Sequence, residues 1–443
     1  MLNIATNHNI KTNISAKKDS MKYVIGMCLL FTLLILGRAV SDILFYVFAA
    51  VSLVVFLVSS VAHSFSLLLF LLPFASILKP YVGSVSFFTI LFFVVVLKML
   101  FKKATISVKL FVPLVLFAVY SLCFSGFETI TIIATMIFGM LMLYYLQSTE
   151  INVDLSILAF SLGIILSSIL ALLKTFFPIV ATFTADAAIK LGSEQYAVRF
   201  AGLCGNPNYY TLDIIVALAA IVVLMYRKSK SLTNTICFVV LSVFGLMSVS
   251  KSFLLSWLLL IACWFVLSIK QGAGKFIKFL MIAIIGGAAV YLYAFDAINT
   301  YILRFVQDSG TLSSMTTGRT DIWNAYINEI LNNMKIFFLG NGLDTTIASG
   351  MGAHNAFIET LFSLGIIGSG LFLVSIKASM GKIISKPVMM VPMIILFVRM
   401  LAIGMLTYDN LWFYLAITVC LSRSLSNTEG EGQNEKIHRT NIL

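Results

Sequence analysis

Apolar residues along the chain form runs of about 17–24 residues, separated from one another by charged or polar residues. A helix of that length crosses the hydrocarbon core of a bilayer, which is about 30 Å thick. We therefore predict an all-α, polytopic integral membrane protein with about 12–14 transmembrane helices, fourteen being the preferred number. The predicted spans are 21–37, 42–59, 62–78, 84–101, 108–125, 127–147, 153–177, 208–226, 232–249, 252–269, 275–295, 354–376, 387–406 and 408–424.

The composition of the chain supports the same class of protein. Hydrophobic residues make up 60% of the 443 residues and charged residues only 11%, which is too few to cover a soluble particle of this size. The first apolar run is not followed by a small-residue cleavage site, so we expect it to remain as an uncleaved span. The six cysteines show no C-x-x-C spacing, a pattern typical neither of a zinc site nor of a disulfide framework.

Clusters of lysine and arginine predict how the protein is oriented. Short positively charged loops resist translocation, and a cytoplasmic N-terminus places every cluster on the cytoplasmic side of the fourteen-span topology. The clusters are Lys11/Lys17/Lys18/Lys22, Lys98/Lys102/Lys103/Lys109, Arg227/Lys228/Lys230, Lys270/Lys275/Lys278, Lys377/Lys382/Lys386 and Arg423/Lys436/Arg439. We predict a multi-pass plasma-membrane protein with both termini in the cytoplasm. This topology accounts for the net charge of +12, and we expect no nucleic-acid partner.

The predicted topology divides the chain into three parts. Residues 1–20 form a cytoplasmic N-terminal segment and residues 21–425 the transmembrane domain. Residues 426–443 are polar and contain glycine, so we expect a disordered cytoplasmic tail. Two predicted outer loops, 178–207 and 296–353, are too long to be simple turns.

The second outer loop contains a pattern typical of an amphipathic helix on the outer face of the membrane, although it could equally serve as a lid on the bundle. Thr320 is the predicted N-cap, and Gly340 and Gly342 are the predicted stop. The apolar positions repeat at helical spacing and comprise Trp323, Ile327, Ile330 and Met334.

Several ionisable residues are predicted to lie close to the outer leaflet. Such groups cost about 2.5–3.5 kcal/mol within a bilayer, so those that are retained often mark function. Lys251 interrupts the apolar stretch 236–269, which must bend there. Arg399 lies towards the outer end of its span, Asp409 follows in the next outer turn, and Asp213 lies near the start of the eighth span. For each of them alone, a structural salt bridge is an equally good interpretation.

Two arginines are predicted to lie beside helix starts on the outer face. Arg199 precedes a glycine-rich turn, and Asn206 with Pro207 is typical of a helix N-cap that needs no functional explanation. A guanidinium in such a place can bind a phosphate through two parallel hydrogen bonds, with the helix N-terminus adding backbone donors. Arg319 stands in a similar position in the second outer loop.

Of the four histidines, His354 alone is predicted on the outer face. A histidine with a pKa near 6.5 can accept a proton from an attacking hydroxyl at neutral pH. If a helix continues from His354, Gly365 and Gly368 lie on the same stripe and allow a neighbouring span to pack closely, whereas Glu359 points away. The alternative interpretation is an interfacial histidine that caps the span.

These motifs resemble those shared by bacterial O-antigen ligases and O-antigen or capsule repeat-unit polymerases. His354-Asn355, followed after nine residues by Gly365-x-x-Gly368, is similar to the signature of that superfamily. The other landmarks follow in the same order along the chain and are Arg199 to Gly202, Asn206-Pro207-Asn208, Ser250-Lys251-Ser252, Gly318-Arg319 with Trp323, and Leu339 to Gly342. The resemblance covers residues 195–370, and at the position of Lys251 the family more often has arginine.

The resemblance implies a metal-independent membrane glycosyltransferase of the C type, with an extracytoplasmic active site and no cofactor. Its donor would be a glycan on undecaprenyl pyrophosphate, and its partners would be membrane lipids and the flippase and chain-length regulator of the same pathway. Arg199 and Arg319 would hold the pyrophosphate, and His354 would deprotonate or orient the acceptor hydroxyl. The substrate-binding residues would be Lys251, Arg399, Asn355, Asn206, Asn208 and Asp409.

Three functions remain open at this point. A polymerase would transfer the growing chain to another lipid-linked repeat unit, and a ligase would transfer the finished chain to a lipid A core or a protein. A transporter or flippase of lipid-linked glycans is less favoured, because the chain lacks matched broken spans in two halves and its polar residues lie towards one leaflet. We prefer the polymerase because the family contains more chains with that role, which is an argument by association.

Overall fold

The structure is a computed structural model that describes residues 23–78, 85–102, 105–184, 187–191, 195–227, 231–307, 316, 318–343, 346–347, 350–383 and 386–440. The predicted N-terminal segment 1–20 lies outside these residues. Within them, the chain is almost wholly helical, and its strands form one short hairpin. The predicted all-α class is therefore confirmed.

Within the described residues, the α-helices α1 to α17 follow one another along the chain, with a β-hairpin between α8 and α9. The elements before the hairpin are α1 Tyr23–Ala39, α2 Asp42–Val58, α3 Val61–Leu71, α4 Phe87–Lys102, α5 Val108–Ser125, α6 Ile130–Leu146, α7 Val153–Leu173 and α8 Pro178–Ala181. The hairpin consists of β1 Ala187–Leu191 and β2 Gln195–Arg199. The elements after it are α9 Pro207–Tyr226, α10 Ser231–Met247, α11 Lys251–Lys270, α12 Ala273–Gln307, α13 Arg319–Asn332, α14 Met334–Leu339, α15 Ala356–Met380, α16 Pro387–Met400 and α17 Asn410–Thr440.

Each of the fourteen predicted spans coincides with a helix in this order. In the described chain, seven helices are long and apolar enough to cross a membrane, and five shorter apolar helices accompany them. A multi-pass membrane protein is compatible with this set, and the number of spans stays a prediction. The helix α9 lies at the centre of the bundle, since 89% of its apolar window is buried inside the protein.

Basic side chains bind the ends of helices at the predicted cytoplasmic end of the bundle. Arg423 donates to the carbonyls of Leu146 and Thr149, where α6 ends, and Lys275 Nζ donates to Met225 O near the end of α9 at 3.4 Å. Cations are favourable beside helix C-termini because the last carbonyls carry partial negative charge. The membrane and the orientation of the termini remain predictions.

The first predicted outer loop contains local structure. After α8, the strands β1 and β2 pair antiparallel, with Ala187 opposite Arg199. The chain then turns through Gly202 and Gly205, both at positive φ, before Asn206 begins α9. Arg199 is therefore fixed at the end of a strand, directly before a tight turn.

The second predicted outer loop is shorter than expected, because α12 continues past the predicted span end at residue 295 to Gln307. No glycine or proline interrupts the helix after Gly287, so nothing in the sequence stops it there. The predicted amphipathic helix exists as α13, but it begins at Arg319 with Gly318 at the N-cap position (φ 78°). The prediction that Thr320 caps this helix is therefore wrong.

The helix α13 also ends earlier than predicted. Asn333 adopts an extended conformation and its side chain accepts from Lys335 N at 3.1 Å, so a separate helix, α14, begins there and ends at Gly340. The buried face of α13 also differs from the predicted one. Tyr326 and Ile330 are buried, whereas Ile327 and Met334, predicted on the same face, are 40% and 70% exposed.

The last helix, α17, extends to Thr440 and so includes most of the segment 426–443 that the sequence predicted as disordered. No proline lies in this segment, and the helix continues through its two glycines, Gly430 and Gly432. Residues 426–440 are therefore described as helix, and the disorder of the tail stays a prediction.

Candidate active site

The helix α15 is broken at Gly365, and this break positions the segment that carries His354. Gly365 has φ 63° and ψ −176°, a conformation that is essentially limited to glycine. The break frees the carbonyls of the preceding turn from their helical partners. Asn341 N donates to Phe362 O at 2.8 Å, and Gly342 N donates to Ser363 O at 3.0 Å. The segment after α14 is thereby locked to α15.

Two further contacts complete this interlock. Tyr120 of α5 donates its hydroxyl to Leu339 O at 2.8 Å and to Leu364 O at 2.9 Å. A Cβ on Gly365 would lie 2.5 Å from the backbone of Phe338, and a Cβ on Gly368 would lie 2.3 Å from the ring of Tyr120. The two glycine motifs predicted separately in the sequence thus form one structural unit.

The predicted role of these glycines is therefore only partly right. Gly368 does allow a neighbouring span, α5, to approach closely. Gly365 instead receives the α14 segment, and His354 does not share a helical stripe with either glycine. His354 has φ 50° and precedes the helix, so the assumption of a continuous helix from residue 354 to residue 368 is wrong.

Aromatic side chains of α13 hold the backbone just before His354. Trp323 Nε1 donates to Ala353 O at 2.9 Å, and Tyr326 OH donates to Met351 O at 2.9 Å. On the other side, Asn355 Oδ1 caps α15 by accepting from the first backbone N–H groups of the helix. The imidazole of His354 is exposed between these anchors, and it forms no hydrogen bond with any residue that the structure describes.

Three arginines approach the same end of the bundle as His354, the end at which α9, α11 and α15 begin. Arg199 Nε donates to Ser248 O at 3.1 Å, Arg304 Nη1 donates to Val249 O, and Arg319 Nη1 donates to Ala402 O at 2.8 Å. These acceptors are neutral carbonyls. Hydrogen bonds to these carbonyls therefore orient the three guanidinium groups, and those of Arg199 and Arg319 do so without neutralising their charge.

Asn208, in the first turn of α9, connects the arginines to the bend between α10 and α11. Its Oδ1 accepts from Arg199 Nη2 at 3.4 Å and from Ser250 Oγ at 2.9 Å, and its backbone carbonyl accepts from Arg399 Nη2 at 2.6 Å. Arg399 Nη1 also donates to Ser252 Oγ at 2.7 Å. The predicted bend at Lys251 is confirmed, with Ser250 as the N-cap of α11.

The charges of these groups act on one another. Burial and the positive charge of Arg304 lower the pKa of Arg199 to about 10. The same two causes lower the pKa of Arg319. Partial desolvation and the charge of Arg319 lower the pKa of His354, so its imidazole is neutral at neutral pH. An anion bound among the arginines would relieve this mutual repulsion.

The structure gives the other predicted site residues different positions. Arg399 is fully buried and donates hydrogen bonds to Ser252 Oγ and Asn208 O. From this position it supports the site and does not contact a substrate. Asn206 and Asn355 are helix N-caps, and Lys251 is the half-buried first residue of α11. Asp409 lines a separate cavity.

Arg304 belongs to the site but was missed in the sequence, because residues 296–353 were interpreted as a loop. In α12, Tyr301 and Arg304 are three residues apart and therefore lie on one face of the helix. Tyr301 OH donates to Ser250 O at 3.2 Å, next to the contact that Arg304 makes with Val249 O. Val249 has φ 49°, which places a strained residue at the centre of the bend.

Two cavities are lined by residues that lie before or at the start of α9. One, of ≈ 350 Å³, lies beside Arg199 between the ends of α7, β2 and α10 and the outer part of α12, and Lys174 also lines it. The other, of ≈ 430 Å³, lies between the end of α3 and the starts of α4, α9 and α17. The first cavity has exposed apolar walls that include Leu172 and Tyr293, which suits a ligand with both lipid and charge.

Among the described residues, no three His, Cys, Asp or Glu side chains form a group that could hold a metal ion. Metal independence stays a prediction. No family model matches the chain, and neither a curated protein nor a solved structure matches it.

Proposed function

We propose that the protein polymerises oligosaccharide repeat units carried on undecaprenyl pyrophosphate, at the outer face of the plasma membrane. One observation carries the proposal. The charges of Arg199, Arg304 and Arg319 act on one another, and the charge of Arg319 acts on the exposed imidazole of His354, at one end of a bundle of apolar helices. A membrane-bound pyrophosphate and a hydroxyl nucleophile are the reactants that such a set of groups suits.

The arginines supply the electrostatic part of the reaction. When the bond between the sugar and the pyrophosphate breaks, negative charge develops on the departing phosphate oxygen. Arg199 and Arg319 are oriented by neutral carbonyl and amide oxygens, so their charge remains available to an anion. Loss of one donor to a developing oxyanion typically costs about 2.7–4 kcal/mol of transition-state stabilisation.

His354 supplies the base. Its pKa is lowered, so the imidazole is neutral and can take the proton of an acceptor hydroxyl. The hydroxyl oxygen forms a bond with the anomeric carbon, the carbon–oxygen bond to the pyrophosphate breaks, and the pyrophosphate leaves with the electron pair. A single displacement of this kind inverts the anomeric carbon. General-base assistance is worth about 10²–10⁴ in rate.

The proposal is tested with purified protein and lipid-linked repeat units as the only substrate. A polymerase produces a ladder of products that differ by one repeat unit. We expect the ladder with the unmodified protein and its loss in His354→Ala and Arg199→Ala, with normal protein levels and membrane insertion. His63→Ala is the matched control, because His63 lies at the start of α3, far along the chain from the site, and is bound to Ser60.

The same assay separates the other functions. Turnover of the donor only when a lipid A core acceptor is added would replace the polymerase with a ligase. Movement of lipid-linked glycans across vesicle membranes, without any new glycosidic bond, would indicate a transporter. A normal ladder in His354→Ala would remove the assigned base.

A further inference from the structure

The second cavity, which Asn206 and Tyr209 at the start of α9 help to line, has chemistry unlike that of the arginine cluster. Its volume of ≈ 430 Å³ lies within the range of small-molecule sites. The residues around it are mainly polar, and two of them, Asp213 and Asp409, carry carboxylates. The cavity therefore carries acidic side chains, whereas the cluster carries arginines.

The cavity offers carboxylate acceptors together with hydroxyl and amide groups that can donate. Asp213 is 4% exposed, and its Oδ1 accepts from Tyr414 OH at 2.6 Å and from Asn410 Nδ2 at 3.3 Å. Within the described part of the chain, its Oδ2 receives no hydrogen bond. The Oδ1 of Asn206 is occupied by the N-cap bond to Asn208 N, which leaves its Nδ2 as a donor at the cavity wall.

This set of groups suits a neutral polyol. Hydroxyl groups of a ligand donate to carboxylate oxygens and accept from an amide N–H. Tyr209 and Tyr408 also line the cavity, with ring centroids 4.5 Å apart, and their rings offer apolar surface to the C–H face of a sugar. A pyranose ring combines both features.

One backbone segment connects the cavity to the arginine cluster. In residues 401–409, Ala402 O accepts from Arg319 Nη1 and Gly404 O accepts from Tyr209 OH at 3.0 Å. Leu406 N donates to Glu359 Oε2 at 3.3 Å, which fixes the segment to the start of α15. A glycan whose pyrophosphate or acceptor hydroxyl reacts at the arginines can therefore reach the cavity from the same end of the bundle.

We propose that this cavity is a sugar-binding subsite that takes a neutral sugar ring of the repeat unit through Asp213, Asp409 and Asn206. The inference rests on the proposed function. The sugar can belong to the donor or to the acceptor, since both carry the same hydroxyl chemistry, and the experiment distinguishes the two sources.

Binding is measured with two probes on the purified full chain. One probe is the free oligosaccharide released from lipid-linked repeat units by mild acid, and the other is undecaprenyl pyrophosphate without sugar. Asn206→Asp keeps the capping oxygen and removes the Nδ2 donor, and Asp409→Asn removes a carboxylate. Asn152→Asp is the matched control, because Asn152 caps α7 at the other end of the bundle in the same way.

We expect Asn206→Asp and Asp409→Asn each to weaken oligosaccharide binding by about tenfold or more, and to leave binding of the sugar-free pyrophosphate unchanged. Arg199→Ala should show the reverse pattern, and Asn152→Asp should bind both probes normally. Ala75→Trp, which fills the cavity from its half-buried wall, provides a second test if a polar variant fails to fold.

Absence of oligosaccharide binding by the unmodified protein, or unchanged binding in both Asn206→Asp and Ala75→Trp, would overturn the subsite. If the unmodified protein forms the ladder of products but these variants bind the oligosaccharide normally, the subsite alone is refuted. If the variants weaken oligosaccharide binding but the unmodified protein forms no ladder, the polymerase alone is refuted. Elongation of the oligosaccharide into a lipid-free product would assign the cavity to the acceptor sugar. Inhibition without elongation would assign it to the donor sugar, and both results support the subsite.

Discussion

Replacement of Gly365 by alanine tests the interlock that positions His354. Alanine at φ 63° and ψ −176° adopts a backbone conformation that costs about 1–3 kcal/mol. The new Cβ would also lie 2.5 Å from Gly340 N and from the carbonyl of Phe338. These are backbone atoms, which cannot move aside as the end of a flexible side chain can, so α14 must shift away from α15.

That shift removes the two hydrogen bonds from Asn341 N and Gly342 N to the broken turn of α15. Each is worth about 0.5–1.5 kcal/mol net, so the substitution should cost about 2–6 kcal/mol in total. We expect a clear fall in the unfolding midpoint of the purified protein, measured by thermal unfolding in detergent. Chain formation should also fall in membranes at temperatures where the variant is still folded, because the segment that carries His354 loses its anchor.

Gly370→Ala is the matched control within the same helix. A Cβ at Gly370 meets nothing within 4 Å, and alanine is favoured over glycine in a helix by about 1 kcal/mol. This variant should therefore unfold at the same temperature as the unmodified protein, or at a higher one. Equal midpoints and equal activity for Gly365→Ala and Gly370→Ala would refute the reasoning.

Two further predictions concern the reaction. Because the pKa of His354 is lowered, the midpoint of the acid limb of kcat/KM in a pH–rate profile should lie below the usual histidine value of about 6.5. Arg319→Gln should move this limb to higher pH, and an unmoved limb would separate the two residues. Asn208→Ala removes the side-chain oxygen that accepts from Arg199 and Ser250, so it should slow chain formation by about tenfold or more at a normal protein level. Asn324→Ala, on the exposed face of α13, should have no effect on the ladder of products.

Much of the fold could be predicted from the sequence because hydrophobic length is a local property. A run of apolar residues long enough to cross the bilayer must satisfy its backbone groups internally, so it forms a helix whatever its neighbours are. Each predicted span accordingly coincides with a helix. Caps such as Asn206 with Pro207 were predictable for the same reason, since their hydrogen bonds close within a few residues.

Helix ends without such local signals were not predictable. The extension of α12 to Gln307 and the break at Asn333 decide where Arg304 and Tyr326 lie, yet neither is marked by a proline or by a glycine. The amphipathic pattern in the second outer loop was recognised, but the predicted buried face was partly wrong, because Ile327 within α13 and Met334 after the break are both exposed.

By itself, the sequence determined the all-helical class, the order of the helices and the residue types able to handle an anionic substrate. Only the tertiary structure decided that Gly365 receives the backbone after α14, that Asn208 joins Arg199 to Arg399, and that Asp409 faces a cavity apart from the arginines. These contacts join residues that are distant in the sequence. Local propensity carries no information about them, because they depend on how whole helices pack around α9.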